Sequence, residues 1–162
     1  LLQLCLLYEK NHVVNSNEVI IFNKSRHTLI GENRGGHFQL YHTLDTLAVQ
    51  NLQLVKDYRI GMKVVAHRFQ QEIPNLMPLQ QGYLLIVDSL GVYAIDGVER
   101  TTVLLRSSPK INLERLIQQI HPKQIIADAS SYKNLVFHWK EIAAKNNIPF
   151  LYTQESGAVV LE

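Results

Sequence analysis

The sequence predicts an α/β domain built as a mixed sheet with flanking helices. Three observations lead there. The second half alternates short apolar runs with segments of helical period, the first half carries strand-like runs separated by tight polar turns, and 46% of the 162 residues are hydrophobic. A chain of this size buries roughly two-thirds of its unfolded surface, enough for a real core.

Glu18 opens the run EVIIF and His27 the run HTLI, with Asn23-Lys24-Ser25 between them, the pattern of a hairpin. A third strand over 38–41 follows the Gly-rich loop 31–36 and completes an antiparallel meander. Leu44, Leu47, Ala48, Asn51, Leu54, Val55 and Tyr58 then recur at helical spacing, with Gly61 as terminator, which predicts one helix lying across the sheet. Residues 62–67 are expected to be a strand. Residues 70–81, with Pro74 and Pro78, are expected to be irregular.

The remainder is more regular. Strands are predicted over 83–87, 103–105 and 124–127, with a helix over 112–120 whose Leu113, Leu116, Ile117 and Ile120 share a face and which Pro122 helps to end. A second helix over 132–145 turns Leu135, Val136, Trp139 and Ile142 inward, and short strands at 150–152 and 158–160 close the domain. Phe137 flanks that helix.

Sixteen Lys and Arg against 14 Asp and Glu leave a charge of +2, too mild to imply a polyanion partner without local clustering. The one cysteine, Cys5, excludes an internal disulfide and any Cys-rich zinc knuckle. Residues 1–7 are apolar but far short of the roughly 20 that span a bilayer. They read either as the tail of a membrane helix or as a first core element, and Leu161-Glu162 either as a cloning scar or as the continuation of Ala158-Val159-Val160. The whole is expected to be a single domain.

Three strand exits are polar: Asp88-Ser89, Arg106-Ser107-Ser108 and Asp128-Ala129-Ser130-Ser131. If their strands are neighbours, the exits converge on one rim, the usual place for ligand chemistry in an α/β sheet. The competing reading is that Ser130, Ser131 and the aspartates only cap the next helix and turn the chain. Signals for covalent catalysis are weak: no Gly-x-Ser-x-Gly elbow accompanies Ser107, and no Gly-rich dinucleotide loop accompanies Tyr132-Lys133.

The order of these elements resembles metallo-β-lactamase-like hydrolases, and specifically the C-terminal domain of ComEC-family DNA uptake channels. Leu85-Ile86-Val87-Asp88 stands where that family has Leu-Leu-x-Gly-Asp, and Arg106-Ser107-Ser108-Pro109-Lys110 where it has His-His-Gly-Ser. Glu155-Ser156-Gly157-Ala158 is similar to its closing motif. Ser108-Pro109-Lys110-Ile111-Asn112-Leu113 and the run from Ile125 to Lys133, IIADASSYK, resemble the tails of one branch of the family more closely.

The family's metal site needs a His-x-His-x-Asp-His loop, and this chain has none. His12, His27, His37, His42, His67, His121 and His138 form no ligand pair, and of the expected ligands only Asp88 remains. Serines and cations in place of imidazoles make the rim better suited to an anion, with Asp88, Arg106, Ser107, Ser108, Lys110, Asp128, Ser130 and Lys133 as its residues. The resemblance implies a domain of a DNA internalisation channel of natural transformation, and the missing ligands make it a non-catalytic one, without cofactor. Its partners would be the rest of that inner-membrane protein and, weakly, single-stranded DNA, with the domain on the outer, periplasmic face. Two alternatives stay open: a degenerate hydrolase holding Mg²⁺ or Mn²⁺ between Asp88 and Asp128, and a purely structural assembly domain.

Overall fold

The computed structural model describes residues 17–93, 97 and 99–162; residues 1–10, and with them the expectation about a preceding membrane segment, lie outside these. Among the described residues ten strands form two five-stranded sheets. The first contains β1 (Asn17–Ile21), β2 (Leu29–Arg34), β3 (His37–His42), β4 (Ala66–Gln70) and β10 (Val159–Leu161), in the order β10-β1-β2-β3-β4. The second runs β5 (Leu76–Leu79), β6 (Gly82–Val87), β7 (Thr101–Leu105), β8 (Gln124–Ala127) and β9 (Phe150–Tyr152) in sequence order. The helices are α1 (Thr46–Gln50), α2 (Gln53–Gly61), α3 (Leu113–Ile120), α4 (Lys133–Lys145) and the single turn α5 (Thr153–Ser156).

The expected α/β class holds, with the meander and the parallel run in separate sheets packed face to face. Successive strand residues point to opposite faces, so each sheet has two packing surfaces. Val19, Ile21 and Ile30 of the first sheet meet Leu84, Ile86, Leu104 and Ile126 of the second in a shared core, which Val159 and Leu161 close. The other face of the second sheet, through Leu85, Val103 and Ile125, packs on Leu116, Val136 and Trp139 of α3 and α4. The outer face of the first sheet, with Phe22, Leu29, Phe38 and Leu40, is covered by Val49 of α1 and Val55 and Tyr58 of α2. Two-sided burial explains why β7, TTVLL, carries no charged residue and is buried at every position.

Four local expectations are corrected. The predicted helix from Leu44 is two helices, because Leu52 is extended (φ −69°, ψ 109°) and the Asn51 side-chain amide donates back to the Leu47 carbonyl at 3.3 Å. Leu47, expected on the buried face, is 74% exposed. The strand expected over 62–67 lies later, at Ala66–Gln70, and runs parallel to β3. The stretch expected to be irregular contains β5, an edge strand on which Pro78 removes no needed donor.

Gly35 and Gly36, with φ of 57° and 83°, make the two-residue turn between β2 and β3, so those strands extend into what looked like loop. Asn112 caps α3 by accepting from the Arg115 amide at 3.0 Å, and His121 ends it in the left-handed region (φ 48°) just before Pro122.

Candidate functional site

Strands β6, β7, β8 and β9 are parallel neighbours, with Val87, Leu105, Ala127 and Tyr152 in register. The next residue of each chain segment is therefore Asp88, Arg106, Asp128 and Thr153, and these follow one another across the carboxyl rim. Alternation puts them on the face of Ile86, Leu104, Ile126 and Leu151, toward the first sheet. The three predicted exits thus do converge on one edge, with charges in the order carboxylate, guanidinium, carboxylate.

Arg106 Nη2 lies 3.2 Å from Asp88 Oδ2, while Asp88 Oδ1 accepts from the Leu90 amide at 2.9 Å. Asp128 is fully buried. Its Oδ2 accepts from the Thr28 hydroxyl at 2.5 Å, and its Oδ1 accepts from the amide of Ser130 at 3.1 Å and from the hydroxyl of Ser130. Burial raises the Asp128 pKa above the usual carboxyl value, against the opposing pull of Ser130, Thr28 and Arg106. Thr28 belongs to the β1–β2 loop, which also docks through its Arg26 amide on the Ala129 carbonyl at 2.9 Å. The rim is in this way a junction between the two sheets.

The serines brace it from outside the row. Ser107 and Ser108 both hold φ of 55°, a left-handed pair that costs energy in non-glycine residues and persists only where neighbours hold it. Ser130 Oγ accepts from the Ser107 amide at 2.7 Å, Ser131 Oγ from the Ser108 amide at 3.3 Å, and Ser108 Oγ from the Tyr132 amide at 2.8 Å. Ser130 and Ser131 therefore do not cap α4, whose N-cap is Tyr132 and has no side-chain cap. They tie the loop after β7 to the loop after β8, and this occupies amides that an anion would have used. Lys110 and Lys133 are exposed and stand outside the hydrogen-bonded row.

The row does not suit a metal ion. Both oxygens of each aspartate already accept protein hydrogen bonds, and an arginine separates the two carboxylates. The buried polar atoms left without a protein partner here, Arg106 Nε, Tyr152 Oη and Thr153 Oγ1, include no carboxylate or imidazole, and the guanidinium can only donate. Among the described residues no group of three or more His, Cys, Asp or Glu could hold a metal ion.

Sequence reasoning missed Thr28 and Thr153. Nothing local marks Thr28, which lies 100 residues from its partner Asp128. Thr153 carried a usable signal, since the strand-exit rule that identified Asp88, Arg106 and Asp128 applies equally to the residue after β9.

Fold and rim together define a four-layer α/β/β/α domain whose polar strand exits are collected between the two sheets. The family model described as the ComEC C-terminal domain matches residues 19–162, and the chain belongs to that family, which connects it with competence DNA uptake and with a membrane channel protein. Searches of curated proteins and of solved structures returned no match. No helix among the described residues is long and apolar enough to cross a membrane.

Proposed function

We propose that this chain is a non-catalytic C-terminal domain of a ComEC-type DNA internalisation protein, a metallo-β-lactamase-like sandwich whose metal-binding rim has become a braced junction. The observation that carries this reading is Arg106 standing between Asp88 and Asp128, with every carboxylate oxygen engaged. A hydrolytic cation needs oxygen or nitrogen donors free to turn toward it. Here it would have to displace a guanidinium and break the hydrogen bonds that hold a buried carboxylate. The family membership supports a place beside an inner-membrane channel, on its outer face, where the domain supports the channel as part of the same protein.

The expected result is that the purified chain, incubated with Mg²⁺, Mn²⁺ or Zn²⁺, cleaves neither single- nor double-stranded DNA and takes up no equivalent of metal by calorimetry. Metal-dependent cleavage abolished by Asp88→Asn would establish the degenerate hydrolase instead.

Contact with the incoming strand is supported only at the lip of the rim, where Lys110 and Lys133 are exposed and Tyr132 is 71% exposed beside them. Such contact works through counterion release and is steeply salt-dependent. Labelled single-stranded DNA should bind weakly at low salt, lose affinity at moderate salt, and bind several-fold more weakly to Lys110→Ala/Lys133→Ala. Equal binding by parent and variant removes these lysines from the DNA path, and binding by neither leaves support of the channel as the role of the domain.

A further inference from the structure

A second charged surface lies where α2 turns into the edge strand β4, at the end of β3 opposite the one that meets Thr28. Residues 56–63 hold three cations (Lys56, Arg59 and Lys63) and one carboxylate (Asp57), as much net positive charge as the +2 of the entire chain. Asp57 Oδ1 accepts from the Gln53 side-chain amide at 2.6 Å. Lys56 and Arg59 are in no ion pair with a carboxylate among the described residues. The positive charge that composition spreads thinly is concentrated on this corner.

The same corner exposes aliphatic side chains. Ile60 is 75% and Val65 79% exposed, on either side of the turn in which the Lys63 amide bonds the Ile60 carbonyl and the Val64 amide the Arg59 carbonyl. A groove of about 380 Å³ runs between Lys56, Arg59, Ile60, Lys63 and Val64. Isolated exposed aliphatics are ordinary on a protein surface. Two of them beside the three cations of this groove are not explained by solubility, because each part favours a different environment. A soluble polyanion satisfies the cations and does nothing for Ile60 and Val65. A lipid interface bearing negative headgroups satisfies both, since it offers phosphates at the level of the cations and acyl chains just beneath.

We propose that the α2–β4 corner is a membrane-contact surface for an anionic lipid leaflet, with Ile60 and Val65 entering between headgroups and Lys56, Arg59 and Lys63 meeting lipid phosphates. The contact is independent of the rim and orients the domain on a bilayer by a face that needs no spanning helix.

Flotation of the 162-residue chain with vesicles tests this. The chain should float with phosphatidylcholine vesicles containing phosphatidylglycerol and stay behind with phosphatidylcholine alone. Ile60→Ser/Val65→Ser should weaken vesicle binding about tenfold, and Lys56→Glu/Lys63→Glu by at least that much, with folding verified by circular dichroism. Binding to neutral vesicles as strong as to anionic ones overturns the proposal. So does an aliphatic double variant that binds anionic vesicles like the parent, or a single-stranded oligonucleotide that displaces the vesicles and binds that variant undiminished. The latter result would make the corner a nucleic-acid surface. The readout involves neither metal nor DNA cleavage, so its failure leaves the reading of the rim standing.

Discussion

Asp128→Ala is expected to destabilise the domain by about 3 kcal/mol or more, measured as a lowered urea midpoint at unchanged slope. The substitution strands the Thr28 hydroxyl and both the amide and the hydroxyl of Ser130 inside the protein, where an unsatisfied polar group costs most. It also cuts the side-chain link between the two sheets. Asp128→Asn keeps one acceptor for Ser130 and turns an amide toward Thr28, whose hydroxyl can accept in place of donating, so it should cost only about 1 kcal/mol. A parent-like midpoint for the alanine variant would show that the junction is held by the apolar core alone.

The two variants also carry a pH test. Because burial raises the folded-state pKa of Asp128 above the ordinary value of 3.8, the folded protein binds that proton more tightly than the unfolded chain. The resulting stabilisation is complete below the ordinary value and is lost as pH rises through the raised folded value. Stability of the parent relative to Asp128→Asn should therefore increase as pH falls from neutrality toward 3.8, and flat behaviour of that difference contradicts the assignment.

Gly82→Ala is expected to cost at least about 3 kcal/mol. Gly82 opens β6 with φ of 106°, a conformation that side chains rarely adopt, and an added Cβ would sit 2.2 Å from the carbonyl oxygen of Arg100. That obstacle is backbone, so no rotamer change relieves it. Arg100 precedes β7, and displacing it moves the strand that delivers Arg106 to the rim. Gly61→Ala is the control: it meets nothing within 4 Å, and the change should be neutral or stabilising by up to about 1 kcal/mol in thermal melts. Equal losses at both positions would exclude the steric cause.

The features legible before folding are those governed by local pattern. Apolar runs at 83–87 and 124–127 ending in aspartate, and the amphipathic period of α3 and α4, sufficed to predict parallel neighbours with polar exits on one edge. The loops around Ser108 and Asp128 sufficed for the family. These signals are local because a strand buried on both faces must be apolar throughout, and a surface helix must repeat at its own period.

Tertiary structure alone decided the rest. The serines of the two rim loops looked like donors to a ligand or caps for a helix, and became braces because the register of β7 against β8 brings Ser107 and Ser108 amides against Ser130 and Ser131. β5 was hidden because an edge strand needs neither alternation nor freedom from proline, and is recognised only through its partner β6. The break at Leu52 was hidden because α1 and α2 bury Val49 and Val55 on the first sheet, a choice of face that the apolar spacing of the segment did not single out. The pairing of Thr28 with Asp128 has no local trace at all: it arises where two sheets meet, and the energy that fixes it belongs to burial between them.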